Sequence, residues 1–277
     1  MGAYNVRVIE YPNGELQVRR YSSPLERKEP NDFEDERVID GYERNVFDGK
    51  LARVVDDFDN IVHHATQEEN DRRSFNRSKN MIYTYSRSTR WGVFVTVTFN
   101  ADKIDRYNYD ECSSNLRKWL NNQRRNAPDL QYLFVPEQHK DGAWHFHGLL
   151  ANTGNMKFKD SGKRTKDKRV IYNMEAWTNG FTTAVDVYNT HGVSKYIGKY
   201  ITKDLCGLTK GRNRYFVSNN LPTPKTSTFL VTDDNDFNDL LQTIADSCGA
   251  KVTHVSQPRN PNAYVDVDYY ELQEENI

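Results

Sequence analysis

The sequence predicts an α+β fold: a central antiparallel β-sheet with helices packed on one face, a hairpin and helical extension before it, and a short extension after it. Three observations carry that prediction. Runs rich in β-branched and aromatic residues recur through the middle of the chain, at GVFVTVTFN, LQYLFVPE, AWHFHGLLA and FTTAVDVY. Helical periodicity separates the first run from the second and follows the last, an order that suits an antiparallel sheet better than alternating βα units. The residues AVILMFWYC make up only 36% of the 277, so one compact core with polar arms fits better than two full domains.

Each element has its own signal. Val6 to Tyr21 reads as a hairpin, because VRVIEY and LQVRRY flank Asn13-Gly14, whose backbone accepts the positive φ of a tight turn. The acidic, proline-bearing stretch SSPLERKEPNDFEDERVID then reads as a linker. Leu51, Val54, Val55, Phe58, Ile61 and Val62 recur at helical spacing, and a second helix is expected over SFNRSKNMIYTYSR. A strand follows from Trp91, then an amphipathic helix over Asp110 to Arg125 around Leu116, Trp119 and Leu120. Two strands joined by QHKDG come next. KFKDSGKRTKDKRV, with seven basic residues and no apolar period, reads as a flexible basic loop. The strand FTTAVDVY and the helix VSKYIGKYITKDL close the core, followed by the irregular segment GRNRYFVSNNLPTP, a short helix DFNDLLQTIADSC and a strand AYVDVDYY. The expected division is 1–50 as hairpin and acidic linker, 51–90 as helical lead-in, 91–225 as core and 226–277 as acidic extension.

The net charge of −1 is an average over unlike parts. Residues 1–70 carry 9 basic against 16 acidic residues and residues 231–277 carry 2 against 10, whereas residues 71–230 carry 27 against 13. A basic centre between acidic flanks is the distribution of a polyanion-binding core, or of a surface balanced by its own arms. Arg72, Arg73, Arg77 and Lys79 on the second helix, Lys163, Arg164, Lys166, Lys168 and Arg169 in the basic loop, and Arg212 and Arg214 beyond it are the candidate DNA contacts. No run is apolar enough for a membrane helix, and MGAYNVRVIE has no signal-peptide core. Three dispersed cysteines, Cys112, Cys206 and Cys248, form no CxxC pair, which fits a reducing cytoplasm.

The chemistry concentrates in two places. His145 and His147 lie two apart on a strand, so the pleat sends both imidazoles to one side, about 7 Å apart at the backbone, where they can share an ion. Glu137, at the end of the preceding strand, is the natural third ligand, with His139 and Gln138 as alternatives. Tyr196 and Tyr200 are four apart, which places both phenols on one helix face, and Lys199 and Lys203 each follow a tyrosine by three. A phenol oxygen is a poor nucleophile at its ordinary pKa. A metal on the scissile phosphate and a cation beside the phenolate lower the barrier to attack on phosphorus, giving a phosphotyrosine ester.

These residues resemble the HUH endonucleases that initiate rolling-circle replication, in the branch found in microvirus-type phages and related plasmids or prophages. Phe94 to Phe99 (FVTVTF) resembles the family's first motif, HFHG from His145 the second and YIGKYITK from Tyr196 the third, and PEQHKDGAWHFHGLL resembles that branch beyond the two histidines. The resemblance covers residues 72–225 and implies an HUH or RRM-like plait. It implies that His145, His147 and Glu137 bind Mg²⁺ or Mn²⁺, that Tyr196 is the first nucleophile with Tyr200 its alternate, and that Lys199 and Lys203 sit near the phosphate. The first motif is mainly a core strand, with Thr96 and Thr98 on one face. The implied partner is a single-stranded DNA origin in the bacterial host cytoplasm, without a membrane. Nothing reads GxxxxGK[ST], so a helicase and a polymerase are expected from the host. The alternative readings are a non-catalytic single-strand binding protein, whose basic sheet face and aromatics stack bases, and a mobilisation relaxase or transposase with the same chemistry.

Overall fold

The computed structural model describes residues 3–26, 38–39, 42–44, 51–53, 67–259 and 265–274. In chain order the elements are β1 (Ala3–Glu10), β2 (Leu16–Glu26), β3 (Val38–Ile39), β4 (Tyr42–Arg44), β5 (Leu51–Arg53), α1 (Gln67–Ser86), β6 (Val93–Val97), α2 (Tyr109–Asn126), β7 (Gln131–Gln138), β8 (Trp144–Ala151), β9 (Phe158–Arg164), β10 (Val170–Met174), β11 (Thr182–Asp186), α3 (Thr190–Ile197), α4 (Lys203–Leu208), β12 (Phe216–Val217), β13 (Lys225–Phe229), α5 (Asp234–Ser247), β14 (Ala250–Ser256) and β15 (Val267–Glu274). All strand pairs are antiparallel. The molecule is therefore α+β, as its sequence predicts. No described helix is long and apolar enough to cross a membrane.

The chain divides into two compact units. The one formed by Tyr11–Asn13 and Arg73–Pro224 holds a seven-stranded sheet in the order β12-β7-β8-β6-β11-β10-β9. Its central strands, β7 and β8, are buried along most of their length on both faces. Val95, Val97, Phe134, Phe146 and Leu150 are fully buried on one face, where α2 covers them: Trp119 packs edge-on against Phe134, and Tyr109 against Trp144. The amphipathic pattern and the cap fix α2 together. Asn108 accepts from the backbone N–H groups of Asp110 and Glu111, with acidic residues in the first turn and Arg124 and Arg125 in the last. The opposite face is roofed in part by the segment from α3 to α4, where Tyr200 stacks on His147.

Several local expectations change. The stretch SSPLERKEPNDFEDERVID, expected to be a linker, extends β2 to Glu26 and holds β3, and the segment GRNRYFVSNNLPTP, expected to be irregular, holds β12. The single helix expected over VSKYIGKYITKDL is α3, a 3₁₀ turn at Gly198–Tyr200 and α4, because Ile201 leaves the helical region at φ −81° and ψ 105° and Thr202 starts a new helix by accepting from the Leu205 N–H. The stretch read as a flexible basic loop is the hairpin β9–β10, turning through Thr165–Arg169. Most β9 side chains are exposed and β10 is half-buried, so no apolar alternation within the basic stretch announces its strand. Of the helix expected from Leu51, the first three residues form β5, and positions 54–62 lie outside the described residues.

The other unit comprises Met1–Glu10, Gly14–Arg72 and Lys225–Ile277. Its main sheet runs β13-β1-β2-β15-β14, so the N-terminal hairpin and the C-terminal segment are strands of one sheet. Gly14 has φ 90°, as the hairpin turn demands. The apolar side of α5, with Phe237, Ile244 and Ala245, packs on Val6, Val8, Val18 and Leu272. A three-stranded sheet, β3-β4-β5, also falls in this unit.

Candidate metal centre and tyrosine pair

Strand register builds the site. Glu137 on β7 pairs with His145 on β8, and His147 lies between Val135 on β7 and Thr96 on β6. The pleat places Glu137, His145, His147, Thr96 and Phe94 on one face, away from α2. The Nε2 atoms of His145 and His147 lie 2.8 and 2.7 Å from the same Glu137 oxygen, Oε2. The three ligand atoms all lie within 4.8 Å of one another, so the cluster could hold one metal ion. Its donors, two imidazole nitrogens and a carboxylate oxygen, suit a divalent first-row ion or its harder relatives. The histidine side chains are 12% and 9% exposed, against 41% for Glu137, so the cluster opens to solvent on its carboxylate side.

The surroundings prepare both histidines and the glutamate. Burial pushes His147 down to about 4, so its ring is neutral near pH 7, the form that ligates metals. Burial works against charge on Glu137, but the hydrogen bonds to His147 and His145 outweigh it and hold the carboxyl below its usual range. Thr96 Oγ1 lies 3.0 Å from His147 Nδ1. When Nε2 takes a metal, Nδ1 carries the proton and donates to Thr96, which fixes both ring and tautomer. His139 lies outside the cluster, exposed and 3.4 Å from Asp141. Gln138 donates its amide to the Gly142 carbonyl and pairs across the ladder with Trp144.

The two tyrosines meet this cluster from the roof. Tyr200 stacks on His147, with ring centroids 3.6 Å apart and planes 13° apart. Tyr196 packs edge-on against Tyr200 and against Phe94, and the Tyr200 hydroxyl donates to the Tyr196 oxygen at 2.8 Å. The 3₁₀ turn between them keeps the two phenols together although the helix ends at Ile197. Burial, then the hydrogen bond to Tyr196, raises the Tyr200 pKa well above its ordinary value. Tyr200 therefore stays protonated, while Tyr196 is 44% exposed. The Lys199 ammonium lies 5.6 Å from the Tyr196 ring centre. Lys203 opens α4, and its side chain is not among those described.

The basic candidates scatter more widely. Arg77 and Lys79 are exposed on α1, which also carries Arg72 and Arg73, whose side chains lie outside the described ones. Lys163 and Arg164 end β9, and Lys166, Lys168 and Arg169 form the exposed turn after it, with Arg164 paired to Asp160 and Arg169 to Asp167. Arg212 pairs with Asp110 at 2.8 Å. Arg214 points inward, donating to Ser74, Ser78 and the Cys206 carbonyl. In the sequence, Phe94 and Thr96 are marked only as residues of a core strand, without a role at the site. Their alternation with Val95 and Val97 in FVTV was the available signal, because it sets them on one strand face.

Glu137, both histidines and both tyrosines fall within one stretch of about 115 residues. The chain matches no curated protein and no solved structure. Residues 92–205, roughly two-fifths of the chain, are similar to the family described as Replication-associated protein ORF2/G2P.

Proposed function

We propose that the chain nicks and rejoins single-stranded DNA at a rolling-circle replication origin, as an initiator of the HUH type and of its microvirus-like branch. The observation that carries this reading is the stacking of Tyr200 on His147, which brings a phenol pair to a His-His-Glu cluster. The similarity of residues 92–205 to a replication-associated family supports it independently.

His145, His147 and Glu137 would hold Mg²⁺ or Mn²⁺, which when bound would supply Lewis-acid polarisation of the scissile phosphate. Tyr196, the more exposed phenol, is the first nucleophile. Its oxygen forms the bond to phosphorus and gives up its proton, while the bond from phosphorus to the 3′-oxygen breaks and that oxygen is protonated to a free 3′-OH. The 5′ phosphate stays on Tyr196 as a phosphotyrosine ester, which conserves the energy of the broken phosphodiester. Tyr200 orients the Tyr196 oxygen by its hydrogen bond and serves as the alternate nucleophile. Lys199, and Lys203 at the start of α4, supply positive charge near the phosphate. The exposed cations of α1 and of the β9–β10 turn hold the flanking backbone, and a host helicase and polymerase extend the 3′ end.

The test is a covalent adduct. Single-stranded DNA carrying the replication origin of the chain's own genome, incubated with the protein and Mn²⁺ and then denatured, is expected to give a protein–DNA band. The band should vanish with EDTA, with His147→Ala and with the Tyr196→Phe, Tyr200→Phe double variant. A band that survives the double variant, or no band from any origin strand, overturns the reading.

A further inference from the structure

A cavity of about 790 Å³ adjoins the tyrosine pair, walled by Phe94 and Tyr196 on one side and by the β9–β10 turn and the end of β11 on the other. Three features mark it as built for a ligand. First, Tyr188 in its lining is 77% exposed, the largest exposure of any large hydrophobic side chain among the described residues. The backbone on both sides of it is pinned, since the Val187 N–H donates to the Gly92 carbonyl and Asn189 caps α3 by accepting from the Gly192 N–H. The Tyr188 hydroxyl also reaches the Asp186 carboxylate at 3.4 Å. An aromatic ring is thus offered to solvent from a fixed backbone. Second, Lys166 and Arg169 line it from the turn, and among the described residues the Arg169 guanidinium makes long contacts of 3.4 Å to Asp167 and to the Asp186 carbonyl, which a phosphate can replace. Third, the cavity shares Phe94 and Tyr196 with the site above, and its volume lies within the roughly 300–1,000 Å³ of small-ligand pockets.

We propose that this cavity is a nucleotide subsite that takes one unstacked base of single-stranded DNA on Tyr188 and its phosphate on Lys166 and Arg169, beside the bond attacked by Tyr196. An exposed aromatic beside two cations, with the carboxylates Asp167 and Asp186 in the same lining to be displaced from them, matches a base and its phosphate, and the face of a base lies open in a single strand but is covered by its neighbours in an undistorted duplex. This deepens the nicking reading and rests on it.

Binding of a fluorescein-labelled, random-sequence single strand of 30 nucleotides, in EDTA and at low salt, isolates the subsite from cleavage. Tyr188→Ala is expected to weaken that binding by about 5- to 150-fold and to leave a duplex of the same length unaffected, while Tyr188→Phe retains the wild-type affinity. Replacing Lys166 and Arg169 by Gln is expected to flatten the logarithmic salt dependence by about 0.7 for each cation. Equal affinity of Tyr188→Ala and wild type for the single strand, or an equal loss on single strand and duplex, overturns the proposal. The adduct assay separates the two readings. An adduct with unchanged single-strand binding in Tyr188→Ala removes the subsite and keeps the nickase, whereas selective loss of single-strand binding without any adduct keeps the subsite and removes the nickase.

Discussion

At the scale of single residues, the site depends on side chains whose meaning comes from what stands opposite them. His145, His147 and Glu137 were legible because the histidines lie two apart on a strand and the glutamate sits on the strand just before it, across a short loop. Thr96 was not legible as a partner of His147, because the pairing of β6 with β8 spans about 50 residues and no local pattern fixes its register. Arg214 shows the converse. A count of basic residues enters it as a candidate DNA contact, but its guanidinium is taken up by Ser74 and Ser78. The hydrogen bond at Thr96 makes a testable difference. Thr96→Val keeps the shape of the side chain and removes the hydroxyl that meets His147 Nδ1 and fixes its tautomer, so Mn²⁺ affinity measured calorimetrically should fall about 10- to 100-fold. Thr96→Ser should restore it. Unchanged affinity in the valine variant would mean that stacking under Tyr200 alone orients the ring.

At the scale of elements, the strands that carry the site were read well where burial imposes a pattern and poorly where it does not. β6, β7 and β8 announce themselves because one face of each is sealed by α2, whereas β9 lies at the sheet edge with most of its side chains exposed, paired to a half-buried β10. The break between α3 and α4 was hidden for a different reason. The apolar period of VSKYIGKYITKDL continues through Ile201, which is buried although its backbone is extended. β8 also carries a constraint that its letters do not explain. Gly148 follows the two histidines because the Phe134 ring lies over it, and a Cβ at that position would stand 2.3 to 2.6 Å from the ring carbons. Neither strand can yield easily, since β8 is paired on both sides. Gly148→Ala should therefore cost about 1–3 kcal/mol through overpacking, read as a lowered thermal midpoint. Adding Phe134→Leu should recover part of that loss, and additive destabilisation in the double variant would rule out the ring as its cause.

At the scale of the whole molecule, the uneven charge seen along the sequence coincides with a division of the structure. The unit holding the candidate site contains 25 basic and 12 acidic residues, and the other contains 13 basic and 27 acidic. The basic centre was legible from composition. The partnership of the two acidic flanks was not, because pairing between strands more than 200 residues apart leaves no trace in local periodicity. Were residues 231–277 a solvated acidic arm, their removal would be expected to tighten non-specific DNA binding at low salt. In the sheet they are α5, β14 and β15, and their loss strips the cover from Val6, Val8 and Val18 and leaves β2 without its neighbour β15. Each of these valines, fully or almost fully buried, then forfeits roughly 1.5 kcal/mol or more, and a bare edge invites association with other chains. A chain ending at residue 230 should thus bind a hydrophobic dye, unfold at lower denaturant and aggregate, so that any gain in DNA affinity at low salt has to be judged on its remaining monomer. An undiminished unfolding midpoint in the truncated chain would instead mean that β1 and β2 are held without α5 and β15.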